Sequence, residues 1–281
     1  MGIGIFGTTL VIVKLKKSQI KICVMRRLYI LIFAFLVCAA SSAQEDAFED
    51  GEWFLFRIHY GMLNAGEATL TVKNDVYKSK PVFHVKGYGR TTGVSRFFFK
   101  VEDYYETFVD RQTILPYKFV RKIDEGGHTK DKIIDFDQRA NKAAIFDRKH
   151  DKRSTLSTEP NVHDMISSFY YLRDKLDTST LREGDETVLN MFFDEENFQF
   201  KLKFLGKEVI RTKFGKVASL IFRPYVQAGR VFKEQESLTI WISDDKNKIP
   251  LRVKAELAVG SLKADIEGFK GLKHPFLIIQ D

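Results

Sequence analysis

The sequence predicts a mainly β protein, an antiparallel sheet of barrel, roll or sandwich type with one amphipathic helix packed on it. Three observations predict it. Apolar residues recur at every second position in many short runs, clusters of Gly, Asp and Asn interrupt those runs, and only one long segment changes to a helical period. One-sided strands of this kind belong to antiparallel sheets, one face on a core and the other in water.

The first strand pair is read in "FLFRIHYGMLNAGEATLTV", residues 54–72. Phe54, Phe56, Ile58 and Tyr60 alternate toward one face. After Gly66 the pattern resumes, with Ala68, Leu70 and Val72 on one face and Glu67, Thr69 and Thr71 on the other. Gly61 and Gly66 are expected to relieve steric demand at a bulge or tight bend, with Asn64 supplying the turn. Tyr60, Asn64 and Glu67 are the candidate binding residues of this corner; the competing reading is that they satisfy backbone groups there. No helix follows, so no helix dipole is available to hold a phosphate.

Farther along, "TGVSRFFFK" (Thr92–Lys100) is expected to form a short helix. "DEGG" (Asp124–Gly127), "DQRAN" (Asp137–Asn141), "DEEN" (Asp194–Asn197) and "SDDKNKIP" (Ser243–Pro250) are expected turns between strands. "NVHDMISSFYYLRDKL" (Asn161–Leu176) is the helical segment. Val162, Met165, Ile166, Phe169, Leu172 and Leu176 fall on one stripe, with Asn161 expected as N-cap and Asp164 in the first turn. In "FQFKLKF", Phe198, Phe200, Leu202 and Phe204 point inward. In "LRVKAELAV" the inward set is Leu251, Val253, Ala255, Leu257 and Val259, and in "LKADIEG" it is Leu262, Ala264 and Ile266. With no low-complexity linker and no repeat, residues 44–281 are read as a single domain.

The N-terminus sets the expected compartment. Met25-Arg26-Arg27 precedes a thirteen-residue apolar run, Leu28–Ala40, and then "SSAQED". A basic start, an apolar stretch too short to anchor comfortably and small residues at Ser41 and Ala43 make residues 25–43 a secretory signal peptide cut after Ala43. Residues 1–24 are read as an extension ahead of the true start at Met25; a membrane helix at Ile3–Val13 is the weaker alternative. A lipoprotein signal through Cys38 is disfavoured by Val37, where a small residue is needed. The expected localisation is periplasmic, with no stable membrane span after cleavage.

Cleavage changes the charge argument. The chain holds 45 Lys+Arg and 37 Asp+Glu, but six of the basic residues and none of the acidic ones precede Gln44. The exported form then stands near +2, so basicity gives no reason to expect a nucleic acid partner. Both cysteines, Cys23 and Cys38, leave with the signal, so no thiol chemistry and no disulfide are expected in what remains. The remaining 238 residues suffice to bury on the order of 70% of the unfolded surface.

Chemistry is sparse. Of the six histidines, His59, His84, His128, His150, His163 and His274, no two stand at a spacing that presents both to one metal. There is no G-x-S-x-G elbow, no phosphate-binding loop and no dinucleotide fingerprint. Acidic pairs such as Glu195-Glu196 and Asp244-Asp245 fall in expected turns. No catalytic residue, metal or cofactor is therefore expected, and the protein is expected not to be an enzyme. The aromatic content is high, 13% of the chain, and much of it lies in runs such as Phe97-Phe98-Phe99, Phe192-Phe193 and Tyr170-Tyr171. Such runs defeat simple alternation. Strands covered on both faces are the preferred account, because aromatic rings are first of all core fillers; an apolar groove for a lipid-like ligand is the sharper one.

"FRIHYGMLNAGEATLTV", "VEDYYETFVDRQTILPYKFVRKIDEGG", "SSFYYLRD" and "LTIWISDDKNKIPLRVKAELAVGSLKADI", in that order, resemble the exported bacterial family named domain of unknown function 3108. The resemblance implies a single curled antiparallel sheet, a spiral β-roll or half-barrel, with one packed amphipathic helix. That architecture is similar to periplasmic envelope-integrity proteins of Gram-negative bacteria and, more distantly, to the lipoprotein carriers of the Lol pathway, which shield acyl chains. It brings no catalytic residues. The expectation is a non-enzymatic envelope protein that binds a hydrophobic, lipid-like ligand or an envelope protein; the alternatives are a scaffold with a solid core and, third, an envelope hydrolase.

Overall fold

Period-two alternation and turn chemistry produce fourteen strands among the residues that the computed structural model describes, 46–225, 238–257 and 259–280. The signal peptide and its cleavage site lie outside the described residues. Asp46–Asp281 cluster as one compact unit. The strands are β1 (Trp53–Tyr60), β2 (Leu63–Tyr77), β3 (Lys80–Thr91), β4 (Val101–Asp110), β5 (Pro116–Glu125), β6 (His128–Asp137), β7 (Lys142–Asp147) and β8 (Lys152–Ser157). After a helix come β9 (Glu186–Phe193), β10 (Glu196–Thr212), β11 (Gly215–Tyr225), β12 (Leu238–Ser243), β13 (Pro250–Glu256) and β14 (Ser261–Lys270). A four-residue helix, α1 (Ser95–Phe98), joins β3 to β4, and α2 (Met165–Lys175) joins β8 to β9.

All fourteen strands form one antiparallel sheet in the order β8-β7-β6-β5-β4-β3-β2-β1-β14-β13-β12-β11-β10-β9. Each neighbour is a chain neighbour except β1 and β14, which zip the two halves together from Trp53↔Lys270 to Tyr60↔Leu262. The sheet is not closed by pairing its edges, β8 and β9. The connecting segment lies between them instead: Asn197 Nδ2 donates to Ser157 O (2.9 Å), Glu159 N donates to Asn197 Oδ1 (3.1 Å), and His163 bridges to Met191. Acids of the β9–β10 turn reinforce the curl. Asp194 accepts from Arg121 Nη1 at 2.5 Å and Lys130 Nζ at 2.6 Å, and Glu195 pairs with Lys132. The curled antiparallel sheet follows the sequence expectation, and the four expected turns stand where the sequence put them.

The helix α2 is shorter than its sequence pattern. It begins at Met165, and its N-cap is Asp164 rather than Asn161. Asp164 Oδ1 accepts from Ile166 N and Ser167 N at 2.8 Å each, while Asp164 N donates to Ser167 Oγ at 2.9 Å. Asn161 cannot cap because its φ is +52° and the following residues are extended, His163 N donating to Asn190 O and His163 O accepting from Phe192 N. The expected stripe is also altered. Met165 faces out, whereas Ser167, Tyr170, Arg173 and Asp174 are buried beside Ile166. This happens because α2 lies inside the curl and is covered on more than one side. Phe48, Phe83, Val109, Phe119, Ile166 and Tyr170 form the centre of the core.

Two further expectations are corrected. Leu257 and Val259 are exposed, because β13 ends at Glu256↔Ser261 and the chain turns between them, with Gly260 at φ +70°. Tyr60 is exposed although it alternates with Phe54 and Phe56, because it is the last residue of β1, and its neighbour His59 is buried on the other face against Asp265 and the Gly61 turn.

Two adjacent buried groups make opposite demands on pH. Burial pushes His163 down from 6.5 to about 4 and Asp164 up from 3.8 to about 6. The depressed histidine contributes stability above pH 6.5 that is lost as pH falls toward 4. The raised aspartate contributes stability below its unfolded value that is lost as pH rises through about 6. In the window between about 4 and 6 they oppose each other. Asp164→Asn leaves the histidine unopposed, so going from pH 7 to pH 4.5 should destabilise that variant by roughly 2 kcal/mol more than wild type. His163→Gln should give the reverse. Urea denaturation at the two pH values checks both signs.

Candidate functional site

In an antiparallel meander alternate turns emerge at the same end of the sheet, so the β1–β2, β3–β4, β5–β6 and β13–β14 turns share one end. The β1–β2 turn is Gly61-Met62, between the paired residues Tyr60 and Leu63. Gly61 takes φ +55°, a conformation that glycine reaches without steric cost. Asn64 is therefore not a turn residue, as the sequence suggested, but the first part of β2, opposite His59. One position on, Ala65 has no partner on β1, which is the bulge. Gly66 follows it where a Cβ would lie 2.4 Å from Arg90 O, so the bulge and the glycine go together.

Four turns are tied into one platform. His59 bridges Gly61 O through Nδ1 and Asp265 Oδ2 through Nε2, both at 2.8 Å, fixing the first turn on β14. Asp265 is raised by burial, but bonds from Arg252 and His59 outweigh this and hold it below the ordinary carboxylate range. Tyr60 hydroxyl donates to Val259 O (2.9 Å), which joins the first turn to the β13–β14 turn. Thr92 N donates to Ala65 O and Ser95 Oγ to Asn64 O, which joins α1 to β2. The Phe99 ring lies over Gly126, whose amide donates to Lys100 O (2.7 Å), and this brings in the β5–β6 turn.

The platform presents large apolar side chains to solvent. Met62 is 98% exposed, Phe97 92%, Phe98 84% and Val259 77%, and Leu63 and Val94 are each 71% exposed. A one-turn helix with three successive aromatic rings has no side on which it can bury them all. This was the legible part of "TGVSRFFFK": four helical residues cannot make an amphipathic stripe, so the rings had to seek another environment. Sequence reasoning passed over them because it treated aromatic runs as core.

The three candidate residues named from sequence lie at the base of this rim. Tyr60 bonds backbone across to Val259, as described. Asn64 Oδ1 accepts from Arg57 Nη1 (3.2 Å), and Glu67 Oε1 accepts from Arg90 Nε at 2.8 Å. Asn64 and Glu67 thus hold arginines on the outer face, while the apolar side chains beside them form the exposed surface.

At the opposite end, a groove of about 570 Å3 is lined by Tyr77, Lys80, Tyr117, Asp135, Gln138 and Arg139, among others. Several of its polar groups are already engaged: Tyr117 hydroxyl donates to Asp110 (2.8 Å), Tyr77 hydroxyl bonds Asp135, and Lys80 lies 4.2 Å from the Tyr117 ring centre. Among the described residues no group of three His, Cys, Asp or Glu is placed to hold a metal ion, and no helix is long and apolar enough to cross a membrane.

The model of the family DUF3108, described as a protein of unknown function, matches residues 55–267. No curated protein matches the chain. Among solved structures, the fold is similar to a β-barrel-like protein of domain of unknown function DUF1849 from Brucella abortus. The TM-score is 0.50 at 8% identity, over 81% of this chain and 100% of that one. A DUF1089 family protein from Pseudomonas aeruginosa aligns over 74% of this chain and 92% of its own, with a TM-score of 0.30 and 9% identity.

Proposed function

The chain belongs to the DUF3108 family of proteins of unknown function, and from that premise we propose a non-enzymatic, exported envelope protein that works by binding an apolar partner at its exposed rim. The single observation that carries this reading is the exposure of Phe97 and Phe98 on a platform that four turns hold in place. Contiguous apolar surface of that kind marks an interaction site in a folded protein. A lipid-like ligand enclosed by the sheet is less well supported, because Phe48, Ile166 and Tyr170 fill the curl where such a ligand would lie. The filled interior equally suits a purely structural envelope protein, which would have no use for the rim. Placement of a photo-crosslinker in living cells, Phe97→p-benzoylphenylalanine, separates the two. Adducts with lipid or protein at position 97, absent when the same group replaces Lys78 at the other end, are expected for the binding reading. Equal or absent labelling at both positions contradicts it.

A further inference from the structure

We infer that the rim docks on the surface of an anionic lipid bilayer, an inference that rests on the binding reading above and names its partner. The first argument is shape. Phe97 and Phe98 are successive residues of one helical turn, about 100° apart around its axis, yet both are almost fully exposed. A rigid protein groove covers one sector of such a turn. Acyl chains close around it from every side, as they do around aromatic side chains that enter the headgroup boundary. Met62 and Val259, on two other turn tips, extend the same apolar surface, so several short projections stand at one end of the sheet.

The second argument is charge. The β7–β8 turn also emerges at this end, three strands from β4 and so on the order of 15 Å away. Its stretch "DRKHDKR", residues 147–153, exposes Arg148, Lys149, Lys152 and Arg153. With Arg96 and Lys100 in the rim itself, residues 94–100 and 147–153 together hold six basic residues and two acidic ones, Asp147 and Asp151. Arg96 pairs with Glu102, Lys100 with Asp124 and Glu102, and Arg148 with Asp131, so among the described residues the cations of the patch without a carboxylate partner of this kind are Lys149, Lys152 and Arg153 of the β7–β8 turn. Apolar tips flanked by cations complement a hydrocarbon layer capped by phosphates, and each cation near such a surface adds to the attraction.

Co-sedimentation tests the inference. The protein beginning at Gln44, which contains the whole compact unit, is mixed with extruded vesicles of phosphatidylethanolamine and phosphatidylglycerol, or of phosphatidylcholine alone. Wild type is expected to sediment with the anionic vesicles and to bind phosphatidylcholine, or anionic vesicles in high salt, roughly tenfold more weakly. Phe97→Ser/Phe98→Ser should lose binding to both vesicle types by roughly tenfold or more, with unchanged thermal unfolding because both rings are exposed. Lys149→Glu/Lys152→Glu/Arg153→Glu should lose only the preference for anionic lipid. A wild type that ignores vesicles, or aromatic variants that bind as wild type does, would overturn the inference. If a protein is nevertheless crosslinked at position 97, only the lipid inference falls; if position 97 labels nothing, the binding reading falls with it.

Discussion

Glu52→Ala should cost roughly 3–5 kcal/mol of folding stability, the usual consequence of stranding one member of a buried ion pair. Arg173 Nη1 and Nη2 donate to Glu52 Oε1 (2.7 Å) and Oε2 (2.8 Å), and the two side chains are 2% and 0% exposed. Arg173 also donates to Asn247 O through Nε and Nη2, and its guanidinium lies 5.3 Å from the Phe54 ring centre and 5.2 Å from that of Tyr170. A single guanidinium thus fastens α2 to the chain ahead of β1 and to the β12–β13 turn. Without the carboxylate it remains charged and buried, since an arginine does not deprotonate. For a domain of this size the loss should lower the melting temperature by roughly 10 °C, followed by circular dichroism. Glu52→Met/Arg173→Met should be milder than either Glu52→Ala or Arg173→Ala, because it removes both charges together. A single variant within about 1 kcal/mol of wild type would contradict this account.

Tyr170→Ala should cost a comparable amount, roughly 3–5 kcal/mol. Tyr170 is fully buried in the curl, edge-on to Phe48 at 4.7 Å and to Phe169 at 5.1 Å, and Phe48 in turn meets Phe83 at 5.1 Å. The surrounding strands are held in one continuous sheet, so they cannot collapse into the space left behind. Phe48→Ala should be similar. The double variant should cost less than the sum, because the two truncations share the Phe48–Tyr170 contact. Urea titration of the four proteins measures the coupling; strict additivity would show that the two rings are supported independently.

Both expectations concern contacts that no local reading could reach. Glu52 and Arg173 are 121 positions apart, and nothing near either announces the other. The same holds for Asp164: its neighbours made it a first-turn acid and gave the cap to Asn161, whereas the bridge from His163 to Met191 keeps residues 162 and 163 extended and moves the cap onward. At the rim, His59 is buried on the face that alternation assigns to water, because Asp265 of β14, 206 positions away, and the carbonyl of Gly61 close over its ring. In "FQFKLKF", where no bulge intervenes, Leu202 and Phe204 are buried as the alternation requires.

By itself the sequence determined the strands, most turns, the presence of one packed helix and the family, because alternation, turn residues and motif order are properties of neighbouring positions. Only the tertiary structure decided where the helix starts, which polar groups are buried, and that Phe97 and Phe98 face solvent rather than the core. The physical reason is that burial is a property of what lies across the sheet. A ring in a run of aromatics reads the same whether another strand covers it or nothing does.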